Sequence, residues 1–178
     1  MLAIERCSAP PNTLLHNCVT NGAYVDCYST EINGQVSFPD FIFAFYTTLL
    51  FKLERLVLKL TVSKPSTDDQ ARQLADGTTK TFAAWHVENR RDNEILMCDF
   101  LGRTRSWLMI IPVNTGNSTG TRLCFGSAVV PVRSSEMGKP SIGFRFQALL
   151  GFHIIYSMLL LYSAKSRVKS QDLEMKNT

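Results

Sequence analysis

Between Arg145 and Lys165 the chain carries no Lys, Arg, Asp or Glu for 19 residues. A bilayer can take such a stretch, because about 18 or more uncharged apolar residues span its hydrocarbon core. So can the interior of a fold. Gln147, His153, Ser157 and Ser163 interrupt the run, and each is a polar group that lipid penalises and a protein can pair. Read as a helix from Phe144 to about Arg167, the segment offers one broad face of Phe146, Leu149, Leu150, His153, Ile154, Tyr156, Ser157, Leu160 and Ala164. We expect this helix to be buried against a sheet, with a membrane anchor as the alternative.

The partner sheet is written in the preceding residues. Thr81 to Glu88, Glu94 to Asp99, Thr104 to Ile111 and Thr121 to Val130 are strand-length runs. Polar turns at Asn89 to Asn93, Gly102-Arg103 and Asn114 to Gly120 separate them. Spacers this short join antiparallel neighbours, since a parallel pair needs a crossover of about a dozen residues. A meander is the expected sheet. Its apolar face needs cover, and the C-terminal helix is the obvious candidate.

Upstream, Ala23 to Ile32 alternates with a two-residue period and predicts a first strand, with Tyr24, Asp26 and Tyr28 on one side. Asn33-Gly34 signals a turn, and Ser37 ahead of Pro39 is a helix start. Two short helices in series follow, Phe41 to Tyr46 and Leu50 to Leu60, the second with Leu50, Leu53, Leu56, Val57 and Leu60 on its apolar face. A helical turn at Gln70 to Leu74 ends at Gly77. Pro10-Pro11 and the lack of periodicity predict an extended or poorly ordered lead-in over residues 1–21. The expected organisation is thus the lead-in, one α+β domain over 22–167, and a polar tail over 168–178.

The net charge of +4 comes from 19 basic and 15 acidic residues scattered among one another, which argues against a nucleic-acid partner. The five cysteines include no CxxC pair, and an odd number cannot be fully paired within one chain. A reducing cytoplasm suits them, and charge at Glu5-Arg6 precedes any run of signal-peptide length. Cys98 and Cys124 sit in apolar runs, as buried thiols do. No phosphate-cradling loop, dinucleotide fingerprint, zinc-ligand spacing or nucleophile elbow is written in the chain. No cofactor, metal or catalytic residue is therefore assigned.

The order of strand, two helices, antiparallel meander and long last helix resembles the helix-grip fold of the START-like or SRPBCC superfamily. Four short stretches are similar to an uncharacterised bacterial branch of it: Trp85-His86-Val87-Glu88, Gly102-Arg103-Thr104-Arg105-Ser106-Trp107-Leu108, Thr121-Arg122-Leu123 and Leu149-Leu150-Gly151-Phe152-His153. The resemblance covers roughly residues 22–167 and implies a cavity between the sheet and the last helix. Members of the superfamily bind lipids, sterols, polyketides or plant hormones, and some are cyclases or dehydratases. Fold alone does not choose among these.

The polar groups embedded in apolar runs are the candidate ligand contacts. His153 and Tyr156 lie three residues apart on the long helix, Arg105 and Trp107 share one strand face, and Asp26 sits between two tyrosines. An arginine can hold a ligand carboxylate with two parallel bonds, although surface cross-strand ion pairs among Glu88, Asp99, Arg103 and Arg105 are the commoner arrangement. The expected partner is a small hydrophobic molecule or lipid, bound without catalysis. An enzyme of the cyclase, dehydratase or hydrolase kind, pairing His153 with Asp26 or Glu88, is the first alternative. Peripheral membrane contact through Phe41 to Leu60 and homodimerisation are further expectations. The aromatic group Phe38, Phe41, Phe43, Phe45, Tyr46 and Phe51 either guards a cavity mouth or forms core.

Overall fold

The computed structural model describes residues 4–62, 66–115, 118–130 and 144–176. In chain order the elements are β1 (Glu5–Arg6), α1 (Leu14–Thr20), β2 (Tyr24–Asn33), α2 (Phe38–Tyr46), α3 (Leu49–Val62), α4 (Asp68–Ala75), β3 (Thr81–Phe82), β4 (Trp85–Arg91), β5 (Glu94–Asp99), β6 (Thr104–Thr115), β7 (Ser118–Val129) and α5 (Phe144–Lys176). The strands form one antiparallel sheet in the order β1-β2-β7-β6-β5-β4-β3. β3 to β7 are the meander that the short turns require. β2, separated from them by three helices, pairs with β7 along its whole length, from Tyr24 opposite Val129 to Asn33 opposite Gly120. The protein is α+β, with the C-terminal helix packed on the sheet, an arrangement compatible with a helix-grip fold. Among the described residues no helix is long and apolar enough to cross a membrane.

One face of the sheet carries α2 to α5. Tyr28, Ile95, Met97, Leu108, Leu123 and Phe125 from the strands meet Phe41, Phe45 and Tyr46 of α2, Leu74 of α4, and Leu160, Leu161, Ala164 and Val168 of α5. Among the described side chains of α5, buried positions recur at Ser157, Leu160, Leu161, Ala164, Lys165 and Val168, one stripe at three- and four-residue steps. The packing therefore continues to Val168, the first residue of the expected polar tail. The aromatic group is core: rings of Phe45, Tyr46, Phe51, Phe82 and Phe125 contact one another at centroid distances of 4.8 to 6.2 Å. Phe43 is half-buried beneath the Arg72 guanidinium, 3.8 Å from its ring centroid.

The other face is covered too, and here the structure corrects the expected extended lead-in. Residues 14–20 form α1, capped by the Thr13 hydroxyl, which accepts the His16 amide at 3.2 Å. Its Leu14 and Leu15 are buried against Leu96, Trp107, Cys124 and Ala128. Seven residues are too few to show helical periodicity in a sequence; docking, not propensity, holds them helical. Gly126 makes the docking close, because a Cβ there would collide with the Leu15 side chain and lie 2.9 Å from the Asp26 carbonyl oxygen.

Two further expectations change. The run Thr81 to Glu88 is not one strand but a tight hairpin, with Phe82 paired to Trp85 across Ala83-Ala84, and Ala83 takes φ +52°. Phe82 and His86, which one continuous strand would put on one side, therefore face opposite sides. Nothing in the sequence marks that turn, since alanine rarely adopts a left-handed conformation. Among the described side chains of α3, Phe51 and Arg55 are buried and Leu50 packs half-buried on the core, while Leu49, Leu53 and Leu56 face outward; the Val57 and Leu60 side chains lie outside the described residues. Arg55 is held by Asp68, by Ser66 and over the Phe82 ring, so an aromatic and a paired cation take the place expected for Leu53 and Leu56.

Candidate functional site

Residues directly opposite in an antiparallel sheet share a face, so the register sorts every candidate. Asp26, Ser127 and Ser106 are neighbours in one cross-strand row, and Val129 and Thr104 in the next. Both rows look toward α5. Where they pass beneath the helix, the apolar packing opens into a cavity of about 340 Å³. Phe45, Phe51, Phe125 and Leu160 form its apolar wall; Ser106, Ser127, Ser157 and Tyr156 bring hydroxyls. Half-buried Trp85, Thr104, Val129 and Tyr156 stand at its border.

The hydroxyls are held differently. Ser127 donates its Oγ–H to Asp26 Oδ1 at 2.5 Å, and its amide donates to the same oxygen at 3.1 Å. Asp26 is buried and Tyr28 OH lies 3.5 Å from its other oxygen. Burial, with the Asp26 charge adding to it, pushes the Tyr28 phenol up to about 12, so it remains a neutral donor. Ser157 is fully buried on α5, and its Oγ has no hydrogen-bond partner among the described residues. A buried hydroxyl without a partner costs about 1–3 kcal/mol, and this one borders empty space.

Of the five candidate ligand contacts, the structure brings Tyr156 to the cavity and Asp26 to its edge, behind Ser127. The expected Trp107 contact is corrected: this side chain is buried on the opposite face, beneath α1, with Nε1 donating to Glu94 Oε2 at 2.7 Å. The reason is strand parity, since Trp107 opposes Gly126 and Leu96 while Ser106 and Leu108 point to α5. Arg105 has the same parity. Its guanidinium donates to both Glu88 oxygens, at 2.9 and 3.1 Å, and to the Gly102 carbonyl. Its residue borders both this cavity and a second one against α1. The His153 side chain lies outside the described residues. Glu88, a candidate partner for it, is the ion-pair partner of Arg105 on the α1 side, and His86 has that parity as well.

The sequence did not mark Ser106 and Ser127 as cavity residues. Small hydroxyls are common in strands, and only the pairing register shows which ones point inward. Lys165 was missed for another reason. It closes the uncharged run, which invites a surface position, yet it is buried and donates to Thr30 Oγ1 at 2.8 Å. Burial, with a smaller effect of Lys169, lowers its ammonium below the ordinary 10.5. The legible signal was its spacing, four residues after Leu161 and eight after Ser157. Among the described residues, no group of three or more His, Cys, Asp and Glu side chains is arranged to hold a metal. No protein-family model matches the chain, and no curated protein matches it.

Proposed function

We propose that the protein binds a small hydrophobic molecule in the cavity beneath α5, without transforming it, in the manner of the START-like domains that its element order resembles. One observation carries the reading: a void of about 340 Å³ with aromatic and aliphatic walls, bordered by the Ser157 hydroxyl, which has no partner among the described residues. Ligand sites are mostly apolar with a few placed polar groups, and about 300–1,000 Å³ in size. The ligand's apolar body lies against Phe45, Phe51, Phe125 and Leu160. A polar atom of the ligand meets Ser157, with Tyr156 beside it and Asp26 fixing the rotamer of Ser127. Arg105, already held by Glu88, lends its strand to the wall and not its charge to the ligand.

Native mass spectrometry of the purified protein, followed by organic extraction, tests this. A retained apolar small molecule is expected in the wild type and is lost in Ser157→Leu, which fills the void. Retention by Ser157→Leu of the same molecule at the same occupancy overturns the site. The enzyme reading, His153 with Asp26 or Glu88, keeps only its Asp26 arm, because Glu88 lies on the α1 side while Asp26 stands behind Ser127 at the cavity edge.

Peripheral contact with a lipid surface is a second reading, favoured by the row Leu49, Leu53 and Leu56, each at least half exposed on α3. The corresponding triple serine variant should lose flotation with anionic vesicles that the wild type shows. A wild type that does not float refutes this contact and leaves the cavity untouched. The cytoplasm is the proposed compartment for both readings.

A further inference from the structure

On the sheet face away from the cavity, Cys7 continues the register of β1 and β2. Glu5 opposes Ser29, Arg6 opposes Tyr28, and the Cys7 amide donates to the Cys27 carbonyl at 2.9 Å. The two thiols are therefore direct cross-strand neighbours, 20 positions apart in the chain, with Sγ atoms 3.1 Å from each other. Directly opposed antiparallel residues have Cα atoms about 4.5–5.5 Å apart, which falls inside the about 4.4–6.8 Å that a disulfide accepts. Both are free thiols, Cys7 half-buried and Cys27 buried.

We propose that Cys7 and Cys27 form a peroxide-oxidised thiol pair, Cys7 attacking and Cys27 resolving, that closes into a disulfide tying β1 to β2.

The two sulfurs are unequal in a way that suits these roles. Cys7 is held down to about 7 by its hydrogen bond with Cys27; burial opposes this, while Ser29 and Arg122 assist. Cys27 is pushed far up, by the same bond and by burial. The shared proton thus stays on Cys27, and Cys7 is a thiolate in an appreciable fraction near neutrality. In the first step the Cys7 thiolate attacks a peroxide oxygen; an S–O bond forms, the O–O bond breaks, and hydroxide leaves to be protonated by solvent, giving the Cys7 sulfenic acid. In the second, Cys27 sulfur attacks Cys7 sulfur; the S–S bond forms and the S–O bond breaks. The proton of Cys27 goes to the departing oxygen as water. Two thiols lose two electrons and the peroxide gains them.

The other cysteines are internal controls. Cys124 on the same face is pushed up to about 12 by burial, and half-buried Cys18 is raised by burial as well. At pH 7, iodoacetamide should label Cys7 about 5- to 10-fold faster than Cys18, the thiolate advantage being partly offset by lower nucleophilicity. Treatment of the whole chain with stoichiometric hydrogen peroxide should yield a Cys7–Cys27 cross-linked peptide, reversible by dithiothreitol, and raise Tm by about 5 to 10 °C. Cys7→Ser, at a half-buried position, should abolish both. Cys27→Ala should leave a Cys7 sulfenic acid that dimedone traps, and move the pH midpoint of Cys7 alkylation upward. Linkage of Cys7 to Cys18 or Cys124 instead, equal labelling of Cys7 and Cys18, or a peroxide-treated wild type with Cys7 and Cys27 still reduced overturns the proposal. The wild-type measurements decide it even where Cys27→Ala does not fold.

Discussion

Both faces of the sheet bury side chains, yet they are built on different principles. The α5 side is large and aromatic, closed by four helices, and still leaves a void of about 340 Å³. The α1 side is covered by one short helix, held by a buried polar junction. There Glu94, itself buried, accepts the Leu14 amide at 2.9 Å, the Trp107 indole N–H at 2.7 Å and the Arg91 guanidinium at 2.7 Å. A carboxylate at the first turn of α1 also meets the positive end of the helix dipole. The lesson is that hydrophobic area holds the larger face together and tolerates a hole, whereas the smaller face depends on close fit and satisfied polar groups.

Trp107→Ala is the strongest way to break that contrast. It removes a fully buried indole and one donor to Glu94, and should cost about 3–5 kcal/mol by equilibrium urea unfolding. Leu160→Ala, at the border of an existing void, should cost nearer to about 2 kcal/mol, because fewer of its atoms have partners to lose. Equal losses would show that the α5 side is packed as tightly as the α1 side. Gly126→Ala tests the fit of α1 directly. It should destabilise by about 1–3 kcal/mol through displacement of Leu15, and speed amide exchange in residues 14–20 more than in α5.

Ser157→Ala sharpens the comparison from the other side. It should be neutral or stabilising by up to about 1 kcal/mol in the ligand-free protein, because it removes a buried hydroxyl that has no partner among the described residues. The same change should weaken the retained ligand by about 0.5–1.5 kcal/mol in a titration. Loss of stability with unchanged affinity would assign Ser157 to packing alone.

The smallest effect is expected at the helical margin of the α5 side, where Asp68 joins Lys52 at 2.6 Å and Arg55 at 2.7 Å. Burial raises the Asp68 carboxyl, but the hydrogen bonds from Lys52 and Arg55 outweigh it, and the net shift is downward from 3.8. The folded state thus binds this proton less readily than the unfolded chain. Its contribution is complete above the unfolded value and disappears as pH falls through 3.8 toward the folded value. The pair is partly exposed, so Asp68→Asn should cost about 0.5–1 kcal/mol at pH 7 and progressively less in acid. A constant difference between wild type and variant from pH 7 to pH 2 would refute the linkage.

The amino-acid sequence by itself determined the α+β class, the antiparallel meander and the two helices after β2, and it narrowed the last helix to burial against the sheet or a membrane anchor. These follow from local quantities: a period of two or of about 3.6, spacers too short for a crossover, and an uncharged run interrupted by polar residues. The α5 face was legible at Ser157, Leu160 and Ala164, because burial repeats with the helical period. Tertiary structure alone decided which strand side faces α5. A shift of one residue in pairing exchanges Ser106 for Trp107, and no local pattern chooses between them when both sides of β5 and β6 are buried. For the same reason the cavity hydroxyls, the Glu94 junction and the Cys7–Cys27 pair were not readable, since each joins residues that only the sheet register brings together. The candidate site is therefore largely a product of register, while the architecture that encloses it is largely a product of periodicity.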